Sequence, residues 1–263
     1  MSFVFAELFS EIEKDYVQRR AGTEISMERP AIAGGKPARE TKIYYGHQYI
    51  DEDDIQAVVD VLRSDFLTCG PKITELERKL CDLTGARYAV VCSNGTAALH
   101  IAALAAGVGE GDEVITTPIT FAASANCALY CGARPVFADI DSATYNIDPK
   151  KVEEAITPRT KAVVAVDYTG QSADLSPLLK ICREHSLTLI EDGAHVIGTK
   201  YQGQMNGSIA DMTMFSFHPV KTVTGGEGGV ILTNEESLYK KLLLFRSHGI
   251  TRDAAQMKHE PDG

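Results

Sequence analysis

No run of about 20 apolar residues occurs in this chain, so no membrane-spanning helix is expected. Positive charge is also scarce. Lys and Arg total 26 against 36 Asp and Glu, a net charge of −10. That imbalance works against non-specific binding to nucleic acid or to an anionic membrane, while leaving room for a local basic pocket. No paired CxxC motif exists. The six cysteines stand at 69, 81, 92, 127, 131 and 182. Cys127 and Cys131 share one helical face, but no second His or Cys pair completes a zinc site. Reduced, mostly buried thiols in a cytoplasmic protein is the expected reading. The chain has no GxxxxGK(S/T) loop and no GxGxxG after a first strand, which argues against a P-loop nucleotidase and a plain dinucleotide-binding domain. Glu7, Glu11, Glu13 and Asp15 in the first 20 residues are wrong for a signal peptide. No internal repeat or low-complexity tract is found.

What remains is an α/β pattern. With 263 residues and 44% apolar content, one large domain can bury a sufficient core without disulfides or metal. Residues 1–26 read as an extension, with Phe5, Leu8, Phe9 and Ile12 at helical spacing, and a second methionine, Met27, follows. Gly34-Gly-Lys-Pro37 reads as linker. Asp51 suits an N-cap, and Ile55, Val58, Val59 and Leu62 predict a buried helical stripe. Ile73, Leu76, Leu80 and Leu83 predict another, with Gly85 as its C-cap. From residue 86, seven short apolar runs alternate with helix-length segments. Those runs are Tyr88–Cys92, Glu113–Thr116, Arg134–Phe137, Ala162–Val166, Thr188–Ile190, Met212–Phe215 and Val230–Thr233. Several are apolar throughout, which predicts a mostly parallel sheet covered by helices on both faces.

Such a sheet binds ligands beyond the carboxyl ends of its strands, and polar residues gather there. Ser93-Asn-Gly-Thr-Ala-Ala-Leu-His100 joins a strand to a helix. Gly95 lets the backbone approach an anion, the first-turn amides favour a phosphate, and Thr96 adds a hydroxyl. Asn94 or Thr96 serving only as a helix cap is the plainer alternative. Leu187-Thr-Leu-Ile-Glu191-Asp192-Gly-Ala-His195 ends an apolar strand on two acids. Asp192 fits a protonated pyridine nitrogen, or else a cap or an internal ion pair. Glu191 would point to the opposite face. His195 stands near enough to bond a ring oxygen, and a structural histidine is the ordinary alternative. Phe121 could stack on a flat ring or belong to the core. Ser216 could reach the same phosphate or be satisfied by backbone. Lys221 lies in Met214-Phe-Ser-Phe-His-Pro-Val-Lys221, just before Thr224-Gly-Gly-Glu-Gly-Gly229. A desolvated lysine loses its proton and can form an imine with an aldehyde cofactor, whereas most lysines are simply solvated.

Seven segments together carry a resemblance. They are Ser93–His100, Gly111-Asp-Glu-Val-Ile-Thr-Thr-Pro-Ile-Thr-Phe121, Asp139-Ile-Asp141, Tyr145-Asn-Ile-Asp148, Ile156-Thr-Pro-Arg-Thr-Lys161, Glu191-Asp-Gly-Ala-His195 and Phe215-Ser-Phe-His-Pro-Val-Lys221. With them, the chain resembles the fold-type I pyridoxal-phosphate enzymes of the DegT/DnrJ/EryC1/StrS family from about Met27 onward. The resemblance implies the large domain of that fold over residues 27–263, with the C-terminal small domain absent after Glu260-Pro-Asp-Gly263. It implies pyridoxal 5'-phosphate as cofactor, an imine at Lys221, phosphate contacts from Gly95, Thr96 and Ser216, and stacking by Phe121. It also implies pairing of Asp192 with the pyridine nitrogen and a ring-oxygen contact from His195. A glutamate donor, a nucleotide-sugar acceptor and a homodimer with shared sites follow from the same likeness. The Ser-Phe-His-Pro-Val-Lys form, with Asp167-Tyr168, is most similar to transaminases that aminate C4 of a UDP-linked 4-keto-6-deoxy-N-acetylhexosamine in pseudaminic acid synthesis. Another UDP- or dTDP-ketosugar, a sugar dehydratase, and an inactive cofactor-binding chain stay open as alternatives. Gly193 departs from the family, many of whose members have alanine there.

Overall fold

The computed structural model describes residues 29–44 and 46–250. The helix expected at Phe3–Tyr16, the 1–26 extension, Met27 and the segment Glu260–Gly263 lie outside the described residues. The chain divides into two units, Met1–Tyr45 and Gly46–Gly263. Among the described residues of the first, a 3-10 turn at Ala31–Ala33 is closed by Gly34, whose φ of 91° places it in the left-handed region that glycine enters freely.

The second unit is built on seven strands: β1 (Tyr88–Cys92), β2 (Glu113–Thr116), β3 (Arg134–Phe137), β4 (Thr160–Val166), β5 (Thr188–Asp192), β8 (Met212–Ser216) and β9 (Gly229–Thr233). They lie in the order β1-β9-β8-β5-β4-β2-β3. Pairing from β3 through β2, β4 and β5 to β8 is parallel, and β9 runs antiparallel to both its neighbours. The expectation of a mostly parallel seven-stranded sheet holds. A two-stranded hairpin of β6 (Lys200–Tyr201) and β7 (Gln204–Met205) was not expected from the sequence. Two residues per strand are too few to show any alternation.

Among the described residues its helices are α1 (Glu52–Leu62), α2 (Pro71–Thr84), α3 (Gly95–Ala105), α4 (Ala123–Tyr130), α5 (Pro149–Ala155), α6 (Leu175–Glu184) and α7 (Glu236–Arg246). Side chains alternate across each strand, so one strand feeds two cores. Val114, Val164, Ile190, Met212 and Ile231 pack with Leu99, Cys127 and Leu242 of α3, α4 and α7. Ile115, Val163, Ala165 and Leu189 pack with Val152, Leu175 and Leu178 of α5 and α6. Each Val, Leu, Ile or Met side chain among them, fully buried, contributes on the order of 2 kcal/mol. A third cluster joins Leu80 of α2 to Phe215, Val230 and Leu232.

Two expectations need correction. Asp51 and Asp54 do form a capping box, but the α1 stripe is not buried: Ile55, Val58 and Leu62 are 48%, 60% and 63% exposed. In α2 only Leu80 of its stripe is buried, while Leu76 and Leu83 are exposed. Helical spacing reveals which face is apolar, not whether anything covers it. The thiols differ too. Only Cys127 and Cys182 are buried, and Cys69 is exposed. Among the described residues no helix is long and apolar enough to cross a membrane, and no His/Cys/Asp/Glu group could hold a metal ion.

Candidate active site

The carboxyl ends of β1, β2, β4, β5 and β8 open onto one side of the sheet. There two adjoining cavities of about 420 and 330 Å³ share Phe121, Asp192, Ala194 and Lys221. All seven residues singled out in the sequence line them. Asp192, His195, Phe121 and Lys221 line the first, with Asp167 and Tyr168. Gly95, Thr96, Ser216, Phe121, Asp192 and Lys221 line the second.

Asp192 is the last residue of β5, and its side chain is buried. Ser124 Oγ donates to its Oδ2 at 2.6 Å, and the Ala194 amide donates to Oδ1 at 3.3 Å. Burial pushes its carboxyl above the usual range, opposed by these bonds and by the nearby Lys221 and His195. A carboxylate in such a place has a strong preference for a cationic partner. Ser124 was missed in the sequence, although it lies three residues after Phe121. It sits in the first turn of α4, and nothing in the local pattern tells that it meets a residue 68 positions away.

Lys221 sits in the loop between β8 and β9. That loop is closed at its base, where Phe217 N donates to Gly228 O at 2.8 Å and Gly225 N donates to Phe217 O at 3.0 Å. Phe217 is buried and anchors it. Lys221 Nζ lies 2.8 Å from His195 Nε2. Burial lowers the amine's pKa, with Asp192 opposing, and burial followed by the Lys221 charge lowers that of His195. Lowering both favours the neutral forms, and the neutral amine is the nucleophile that imine formation needs.

The β1–α3 turn forms the opposite wall. Asn94 caps α3 by accepting from Ala97 N at 2.8 Å, so the capping role falls to Asn94. Gly95 and Thr96 then present first-turn amides with no intrahelical acceptor. A Cβ on Gly95 would lie 3.0 Å from Ser216 Cβ, which explains the glycine by close approach of the two walls. A Cβ on Gly229 would lie 2.4 Å from Asn94 C and O, so the glycine-rich segment makes room for the turn. Phe121 is 75% exposed and stands free to stack. Gly193 has a packing reason as well: a Cβ there would sit 2.9 Å from Phe215 Cε1. Glu191 does face away from the cavities, as strand alternation requires. It accepts from Thr213 Oγ1 at 2.6 Å and Asn206 Nδ2 at 2.5 Å.

Residues 48–263 match the model of the DegT/DnrJ/EryC1/StrS aminotransferase family. The chain is 45% identical over 210 residues to spore coat polysaccharide biosynthesis protein SpsC of Bacillus subtilis, covering 80% of this chain and 54% of that protein. It is 41% identical to the UDP-4-amino-4,6-dideoxy-N-acetyl-beta-L-altrosamine transaminase of Campylobacter jejuni, covering 80% and 56%. The solved structure of Helicobacter pylori PseC, an aminotransferase involved in the biosynthesis of pseudoaminic acid, superposes with a TM-score of 0.76. Its identity is 38%, with 81% of this chain and 58% of that one covered. The chain thus spans little more than half the length of the relatives it matches. On this evidence the chain belongs to the DegT/DnrJ/EryC1/StrS aminotransferase family, whose members depend on pyridoxal 5'-phosphate.

Proposed function

We propose that this chain carries the cofactor-binding part of an aminotransferase that moves nitrogen from glutamate to a nucleotide-linked ketosugar. The observation that carries the reading is the meeting of Lys221, His195 and Asp192 around one cavity. The residues present fit the cofactor. Gly95, Thr96 and Ser216 would hold its phosphate, Phe121 would cover its ring, Asp192 would face its ring nitrogen, and Lys221 would take its aldehyde carbon. When bound, the cofactor supplies an electron sink for a carbanion at the amino-acid Cα. The rest is the work of the chain's own side chains. Asp192, as a carboxylate, would pair with the ring nitrogen and favour that nitrogen's charged form. Lys221 Nζ would take up and return the proton at Cα. His195 holds Lys221 Nζ in line for that transfer.

Gly229→Ala tests the phosphate wall. Pushing Asn94 and Gly95 outward is expected to weaken pyridoxal 5'-phosphate binding about tenfold or more, roughly 1.4 kcal/mol. Spectroscopic titration measures it, and unchanged affinity would place the phosphate elsewhere.

Within this reading the acceptor is a UDP-linked 4-keto-6-deoxy-N-acetylhexosamine aminated at C4, as in pseudaminic acid synthesis. The likeness to the Campylobacter and Helicobacter proteins supports it. A homodimer and a cytoplasmic setting belong to the same proposal. The test offers ¹⁵N-glutamate with a panel of UDP- and dTDP-4-ketosugars and weighs the products. The expected result is an aminosugar carrying ¹⁵N. A sugar that has lost a hydroxyl without gaining nitrogen would overturn the reading in favour of a dehydratase.

A further inference from the structure

Behind Asp192 lies a second acid group that the transfer reaction does not use. Asp167 follows β4 directly and is 1% exposed, and Glu191 on β5 is fully buried. Their surroundings are unequal. Glu191 receives two donors, from Thr213 and Asn206. Asp167 receives one, from Ala173 N to Oδ1 at 2.7 Å, while its buried Oδ2 receives none. β4 and β5 pair with Ala165 opposite Glu191 and Val166 opposite Asp192, so alternation puts Asp167 on the same face as Glu191, one step along the neighbouring strand. Two carboxyl groups can bond to each other only if one is an acid. By donor count, Asp167 Oδ2 is the oxygen left with room for a proton.

We propose that Asp167 and Glu191 hold one proton between them and act as positioning residues for Asp192 and for the turn that lines the cofactor cavity. The backbone shows what they position. Asp167 N donates to Asp192 O at 3.1 Å, which fixes the end of β5. The bond to Ala173 N ties down residues 168–172, including Thr169 at φ 54° and Gly170 at φ 95°. Asn146 clamps the same turn, accepting from Tyr168 N and donating to the carbonyls of Gln171 and Ser172. Tyr168 is thereby held at the cavity wall.

Charge gives the arrangement its purpose. Three carboxyl groups, Asp167, Glu191 and Asp192, crowd the ends of two neighbouring strands. The titratable groups on the other elements, Lys221 and His195, lie near Asp192. A proton retained between Asp167 and Glu191 leaves only one other negative charge beside Asp192, and so eases ionisation of the carboxylate that must meet the ring nitrogen. The idea rests on the proposed role of Asp192 only for this purpose.

Burial, and then the charge of Glu191, holds the Asp167 carboxyl well above its usual value. A carboxyl that is a weaker acid in the folded than in the unfolded chain binds more protons when folded. Its contribution to stability therefore falls as pH rises above the unfolded value of about 4 and levels off above the folded one. Over that window this one group lowers the folding equilibrium constant about tenfold per pH unit.

Infrared difference spectra of the cofactor-free chain at pH 7 test the pairing. The expected result is the carbonyl band of a protonated acid, moved by ¹³C-aspartate labelling and kept in Asp192→Asn. It should vanish in Asp167→Asn, whose stability should gain on the parent as pH rises. Absence of the band from the labelled parent, or its loss in Asp192→Asn, would overturn the proposal even if Asp167→Asn did not fold. Positioning is read by cofactor titration. Asp167→Asn should bind within about threefold of the parent, and Asp167→Ala at least about tenfold more weakly. Equal losses in both would contradict it. Because the infrared readout needs no cofactor, it can fail while the proposed function stands.

Discussion

Replacing Lys221 with alanine is expected to abolish the absorbance of lysine-bound cofactor and to lower amino transfer by about a thousandfold or more. Among the described residues lining the two cavities, Lys221 is the only one able to form an imine with an aldehyde, and its amine is also the proposed carrier of the proton from Cα. Its surroundings favour both tasks. Partial burial weakens its hold on a proton, and His195 at 2.8 Å fixes the position of its Nζ. The fold should survive, because the loop is held by Phe217, Gly225 and Gly228 rather than by the lysine. Thermal melting should therefore stay close to the parent while activity collapses. A Lys221→Ala chain that keeps the absorbance and the full rate would sink the assignment.

Asp192→Asn separates charge from shape. The amide has the same size and can still accept from Ser124, but it cannot hold a ring nitrogen in its charged form. A loss of about a hundredfold in rate is expected, with weaker cofactor binding. Stability should move the other way. Burial raises the Asp192 carboxyl in the cofactor-free chain, so its ionisation opposes folding as pH rises through that raised value. At pH 8 the cofactor-free variant should melt no lower than the parent, while the loaded variant gains less from cofactor than the parent does. Melting curves with and without pyridoxal 5'-phosphate give both numbers. A variant destabilised when free and unimpaired in rate would mark Asp192 as structural.

Much of this arrangement is legible in the sequence, and the limits have physical causes. Strand-length apolar runs identify the sheet, because strands covered on both faces need apolar residues on both faces. The site residues stand where those runs stop, at Asp192, Ser216 and Asn94, and topology brings these ends to one side. Alternation alone turns Glu191 away from the cavity. What alternation cannot supply is its partners: Asn206 and Thr213 come from 15 and 22 residues away. Ser124 was hidden for the same reason. The α1 stripe failed in another way, since Ile55, Val58 and Leu62 have helical spacing but stand exposed. Gly193 looked like a departure from the family and proves to be matched to the ring of Phe215.

The claim that Lys221 is the cofactor-bearing residue can be tested without any substrate. The chain is loaded with pyridoxal 5'-phosphate, reduced with borohydride, digested and weighed peptide by peptide. The expected result is one cofactor adduct, confined to the peptide containing Lys221. An adduct spread over surface lysines, or a Lys221 peptide that stays unmodified, would contradict it.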